Sequence, residues 1–139
     1  MIRVQFYETV EDRLLKFAVI ISKYQGQWVF CKHRERDTWE VPGGRREEGE
    51  SIEETAKREL QEETGAVDFT LSPICVYSVL RPNEAESFGM LYYSEMEVLE
   101  SELHNEIEKI RCMDVLPERW TYPEIQPKLI EEAERRGFQ

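Results

Sequence analysis

A chain of 139 residues, 40% hydrophobic and 34% charged, has the size and composition of one soluble α/β-sized domain, residues 1–139, with a core of its own. Its formal net charge of −11 opposes nonspecific binding to nucleic acid or to an anionic membrane. No apolar run approaches the roughly 20 residues that cross a bilayer, and Met1 to Gln5 has no signal-peptide core, so a cytoplasmic location is the default expectation.

Residues 15–24, LKFAVIISKY, are β-branched and aromatic enough for a buried strand. Gln25-Gly26 is a turn signal, and residues 27–32 supply a second strand, completing a hairpin. The charged run 32–37 reads as a loop. Its Arg34 and Arg36 are candidates to reach a phosphate; a surface charge cluster is the alternative. Thr38 to Val41 extends towards Pro42, which disfavours helix before it, and Trp39 reads as a core residue in preference to a stacking platform. Gly43-Gly44 predicts a tight turn.

The next segment carries the strongest helix signals of the chain. Ser51 and Glu54 have the spacing of a capping box, Ile52, Ala56 and Leu60 form an apolar stripe, and Gly65 supplies the closing residue. Glu53–Lys57 and Glu54–Arg58 are acid-before-base pairs. Glu59, Glu62 and Glu63 fall within an arc about 100° wide that runs from the flank into the stripe. Carboxylates pressed towards a buried edge need partners, and a hard divalent cation suits three of them. A solvated acidic face is the plain alternative.

Beyond this helix, residues 67–71, 74–80, 88–98 and 107–115 read as strands, with an acidic loop at 99–106. Arg81 and Phe88 flank the loop 81–86 and are ligand-side candidates. Trp120 and Tyr122 are expected to pack the last helix, which runs 127–136 with Pro127 at its first position and Gly137 closing it. Cys31, Cys75 and Cys112 are odd in number and widely spaced, as reduced buried thiols would be. The element order suggests a mixed sheet covered on both faces.

From Gly44 the chain reads five residues, Glu50, seven residues, then Arg58-Glu59-Leu60-Gln61-Glu62-Glu63-Thr64-Gly65-Ala66. This resembles the Nudix box, G-x5-E-x7-R-E-U-x-E-E-x-G-U, at every fixed position, with Ala66 smaller than the aliphatic expected there. The resemblance implies an α/β/α sandwich with a mixed β-sheet between helices. It also implies Mg²⁺-dependent hydrolysis of a nucleoside diphosphate linked to a group X, with Mn²⁺ as an alternative ion. Glu59, Glu62 and Glu63 would be the metal ligands, joined by the Gly43 carbonyl, and Arg58 would orient Glu59. Glu50 would hold the loop or meet metal through water. Relatives differ in the general base, and Glu106 is the candidate here; Glu102, Glu108, Glu84 and Glu86 are others.

The segment RERDTWEVPGGRREEGE looks like the MutT-type branch, which implies a nucleoside triphosphate substrate, unmodified or oxidised, cleaved to monophosphate and pyrophosphate. ADP-ribose, a dinucleoside polyphosphate, a nucleotide sugar or an RNA 5′ end stay open as alternatives, as does a catalytically silent nucleotide-binding module. The expected state is a monomer or homodimer.

Overall fold

Alternation along one central strand divides the molecule into two cores. In the computed structural model of the chain, residues 1–99 and 107–138 are described, with 107–109 at the level of the backbone. Strand β2, Leu15–Tyr24, sends Val19 and Ile21 to one face and Ala18 and Ile20 to the other, as the period-2 geometry of a strand requires. Helix α1, Ile52–Thr64, covers the second face through Ala56 and Leu60. Helix α2, Gln126–Arg135, covers the first through Leu129, Ile130 and Ala133. The expected sandwich, a sheet between helices, is the observed fold.

The other strands are β1, Arg3–Tyr7, β3, Gln27–His33, β4, Gly43–Arg45, β5, Ala66–Phe69, β6, Ser72–Leu80, β7, Ser87–Leu99, and β8, Ile107–Met113. The main path across the sheet is β1-β6-β7-β2-β3-β8; β4 pairs with β2, and β5 with β7. The β2–β7 pair is parallel and the others are antiparallel, so the sheet is mixed.

Several local expectations need correction. The sequence pattern assigns no element before residue 15, yet β1 pairs with β6 from Arg3–Leu80 to Tyr7–Val76; its partner, more than its own short pattern, makes it a strand. Gly43-Gly44 is part of β4, paired with Val19 and Ala18, and not a tight turn. A Cβ at Gly43 would lie 2.6 Å from the Ala18 carbonyl oxygen, so glycine here permits close approach of two backbones. Finally, Glu54 is taken up by the capping box and Arg58 turns to Glu50, so the expected Glu54–Arg58 pair is not formed. Helix α2 begins one residue earlier than expected, placing Pro127 second. Trp39 packs against the α2-side core, and Trp120 meets Phe30 edge to face at 5.5 Å.

Candidate functional site

Helix α1 is held by local chemistry at both ends. Ser51 accepts from Glu54 N–H at 3.1 Å, and Glu54 accepts from Ser51 N–H at 2.8 Å. Gly65 closes the helix in the left-handed region, φ 75°, which glycine adopts without steric cost. Arg58 projects from the middle of the helix and bridges two groups of carboxylates. Its Nε donates to Glu50 Oε2 at 2.5 Å and its Nη2 to Glu50 Oε1 at 3.0 Å. Its Nη1 donates to Glu59 Oε1 at 2.5 Å and to Glu62 Oε2 at 3.4 Å.

Glu50 Oε1 also accepts from Glu47 N–H and the Thr55 hydroxyl. Donors therefore surround this carboxylate, and the Arg58 bond first among them holds its pKa down to about 2. Arg58 is correspondingly raised above the usual guanidinium range, chiefly by Glu50. Glu50 thus fixes the arginine, and the arginine sets the carboxylates of the helix.

Strand β4 supplies the facing wall. Gly43 N–H donates to Glu63 Oε1 at 2.7 Å. A Cβ at Gly44 would sit 2.4 Å from the Glu59 carboxyl group, so the absent side chain makes the space that Glu59 occupies. Burial, then the charge of Glu63, pushes Glu59 up to about 7 against the pull of Arg58. Glu62 is the more open member of the three, with its side chain 41% exposed.

Strand β3 and the extended run before Pro42 add two groups that the sequence pattern did not single out as site residues. His33 Nε2 lies 2.6 Å from Glu40 Oε1 and 3.5 Å from Glu63 Oε2. The nearer carboxylate is Glu40, while the Glu63 bond contributes most to raising the imidazole above its ordinary pKa. Burial raises Glu40. Cys31 is fully buried beside this pair, and burial lifts its thiol well above the ordinary range, which argues against a thiolate nucleophile. The signal available in the sequence was an acid, Glu40, inside an otherwise apolar run.

These walls enclose a cleft of about 720 Å³. Glu59, Glu63, Glu40 and Glu84 line it together with Lys16, Arg36, Arg45, Arg81 and His33, so its basic side chains at least match its acidic ones although the chain as a whole is strongly acidic. Gly43 and Gly44 are at its wall as well. Arg34 is exposed and Phe88 stacks against Tyr7 at 5.7 Å; neither lines the cleft. Tyr122, expected to pack α2, lines the cleft instead and is 39% exposed. Glu102 and Glu106 lie outside the described residues, as does the side chain of Glu108. Glu86 accepts from Tyr7 and Ser78 hydroxyls.

The donor set suits a hard divalent cation. It consists of oxygen, it crowds like charges together, and Gly44 leaves the room beside Glu59 that any side chain would fill.

The NUDIX domain family profile matches residues 12–133. Over 87 residues the chain is 36% identical to YtkD of Bacillus subtilis strain 168, a protein provisionally named 8-oxo-dGTP diphosphatase; the match covers 63% of this chain and 54% of that one. A second B. subtilis protein with the same provisional name is 43% identical over 49 residues, covering 35% of this chain and 32% of its own. The chain thus spans about half the first relative and a third of the second. The crystal structure of a variant of the B. subtilis pyrophosphohydrolase BsRppH superimposes with a TM-score of 0.81 at 24% identity, over 99% of this chain and 92% of the other, a likeness of fold. No helix among the described residues is long and apolar enough to cross a membrane.

Proposed function

The chain belongs to the NUDIX domain family, and from that premise we propose that it hydrolyses a phosphoanhydride bond of a nucleoside triphosphate, unmodified or oxidised, giving monophosphate and pyrophosphate. The observation that carries this reading is the convergence of Glu59 and Glu63 on the cleft, tied through Arg58 to Glu62 and Glu50. The relatives provisionally named 8-oxo-dGTP diphosphatases support the choice of substrate class.

Glu59, Glu62 and Glu63 would hold Mg²⁺, or Mn²⁺ in its place. The bound ion supplies charge on the phosphate oxygens and lowers the pKa of the attacking water. Arg58 keeps Glu59 and Glu62 turned to the same side of the helix, and Gly43 N–H keeps Glu63 turned to the strand. Lys16, Arg36, Arg45 and Arg81 offset the charge of the polyphosphate along the wall, where preorganised charge contributes most to stabilising a transition state. The covered apolar side of the cleft, Tyr77, Val79, Ile125 and Leu129, suits a base and sugar.

The test is one Mg²⁺-dependent hydrolysis panel with products identified. It holds dNTPs and their 8-oxo forms, ADP-ribose, a diadenosine polyphosphate, a nucleotide sugar and a 5′-triphosphorylated oligonucleotide. Monophosphate plus pyrophosphate from a triphosphate is the expected result. A preference for ADP-ribose, the dinucleotide or the oligonucleotide would overturn the substrate assignment, and no turnover of any member would overturn the hydrolase reading.

A further inference from the structure

Arg46 follows β4 and occupies one of the unspecified positions between Gly44 and Glu50, so spacing alone gives it no role. Its side chain is nonetheless only 19% exposed, and all three guanidinium nitrogens are engaged. Nε donates to the Glu50 carbonyl at 2.8 Å. Nη1 donates to the carbonyls of Asp12 and Leu15 at 3.0 and 3.3 Å, and Nη2 to Asp12 Oδ2 at 2.9 Å. The backbone N–H of Arg46 donates to the Lys16 carbonyl at 2.8 Å. A lysine could not reproduce this pattern, because a guanidinium fork reaches separate acceptors in fixed directions and an ammonium is a single point.

The acceptors belong to two different parts of the chain. Asp12 opens a short 3₁₀ turn, Asp12–Leu14, that runs directly into β2 at Leu15. Residues 46–50 lie outside the strands and helices and turn through Gly49 at φ 86°. Glu50 N–H donates to the Glu47 carbonyl at 3.1 Å and Glu47 N–H to Glu50 Oε1 at 2.9 Å. Those two bonds hold the loop to itself; Arg46 ties it to the segment that enters the sheet.

What is tied matters, because Glu50 holds Arg58 by Nε and Nη2, and Arg58 Nη1 reaches Glu59 and Glu62. A carboxylate is aimed only as well as its own backbone is fixed. A competitor stands ready: Glu47 Oε1 is 3.5 Å from Arg58 Nε. A loop released from β2 would let Arg58 exchange Glu50 for Glu47.

Resting on the metal-dependent hydrolase reading above, we propose that Arg46 is a positioning residue: it clamps Glu50 to the Asp12–Leu15 segment and, through Glu50, keeps Arg58 aligned on Glu59 and Glu62.

The variants are Arg46→Met, which keeps the aliphatic stem, and Arg46→Lys, which keeps the charge; melting curves verify that they fold. Asp12→Ala, at a side chain 70% exposed, removes one anchor of the clamp with little risk to the fold. The first readout needs neither metal nor substrate. It is the ¹⁵N NMR signal of Arg58 Nε–H, assigned by its loss in Arg58→Lys. Its hydrogen exchange should quicken by about 10-fold or more in both Arg46 variants, and by less in Asp12→Ala. The second readout is the Mn²⁺ dissociation constant without substrate. It should rise roughly 10-fold in both Arg46 variants, the scale on which groups behind metal ligands act, while Glu132→Gln, which weakens α2, leaves it unchanged. Arg46→Met combined with Glu50→Gln should bind Mn²⁺ no more weakly than Glu50→Gln alone, because residues acting in series are not additive. An unchanged Arg58 signal in the folded variants, or additive losses in the double variant, overturns the proposal. Should the wild type bind no Mn²⁺, the metal reading fails by itself, and the Arg58 signal alone decides the role of Arg46.

Discussion

A single oxygen-to-nitrogen replacement separates the two meanings that acidic residues carry on α1. Glu62→Gln preserves shape and helix propensity while removing one negative charge from the cluster beside Arg58. Turnover should drop about 100-fold or more, because charge stabilisation is the largest catalytic contribution in sites of this kind, while circular dichroism stays unchanged. Glu53→Gln, on the exposed side with only the long Lys57 contact at 3.9 Å, should leave turnover within about twofold. Gly44→Ala tests the strand side: its methyl would meet the Glu59 carboxylate at 2.4 Å, so Glu59 must leave its place. Steady-state kinetics should show a loss of about 100-fold in kcat, with a smaller fall in melting temperature. The box residues were legible because their spacing in the chain is itself the pattern. His33 and Glu40 were not, because they come together from β3 and an irregular run, and a lone residue in each carries no spacing to read.

Helix α1 could be read almost to the residue because everything that starts and stops it is local. The cap, the reciprocal Glu54 bond and the left-handed Gly65 all lie within or beside the helix. Strand β4 could not, since Gly43 and Gly44 offer no side-chain alternation and become a strand through β2, some 25 positions earlier. Helix α2 lacks a side-chain cap at its start, and its end is held instead by Glu132, which accepts from Arg135 and Arg136. Those bonds, Arg135 first, hold the Glu132 carboxyl down to about 2, below the value near 4.3 expected in an unfolded chain. The depressed folded value means that the contribution to stability is complete above about pH 5 and disappears as pH falls towards 2. Glu132→Gln should therefore lower the melting temperature by roughly a few degrees at neutral pH. Thermal melts from pH 7 to 2 should show the wild-type and variant curves converging at the acidic end; a constant gap would refute the linkage.

For the whole molecule, the balance of charge matters more than its sum. A protein of net charge −11 would repel a polyphosphate, yet its cleft brings four Lys and Arg side chains to the wall beside the carboxylates. Adding Mg²⁺ should raise the melting temperature by several degrees once the ion exceeds its dissociation constant, through binding to the folded state alone. NaCl at equal ionic strength should not reproduce the shift. An equal response to both salts would reduce the three glutamates to a solvated face. The sandwich was legible from element order, but the pairing order of its strands was not, because the same order of elements is compatible with several sheets.

The parallel pairing of β2 with β7 has a consequence in time. Leu15 pairs with Phe88 and Tyr24 with Met96, so this contact closes a loop of about 70 residues, and loops of that length carry an entropic penalty that must be met before any contact rewards it. Strand β4, with Gly43 and Gly44, rests on β2, and α1 packs on the face that β2 and β7 share. The motif from Gly44 to Ala66 is therefore not an autonomous unit of folding. Excised as a peptide, residues 43–66 would keep the helix signals without the strand that faces them. In refolding from denaturant, nascent helix would appear early, and the ability to grip an ion would arrive only with the late, long-range closure that completes the sheet.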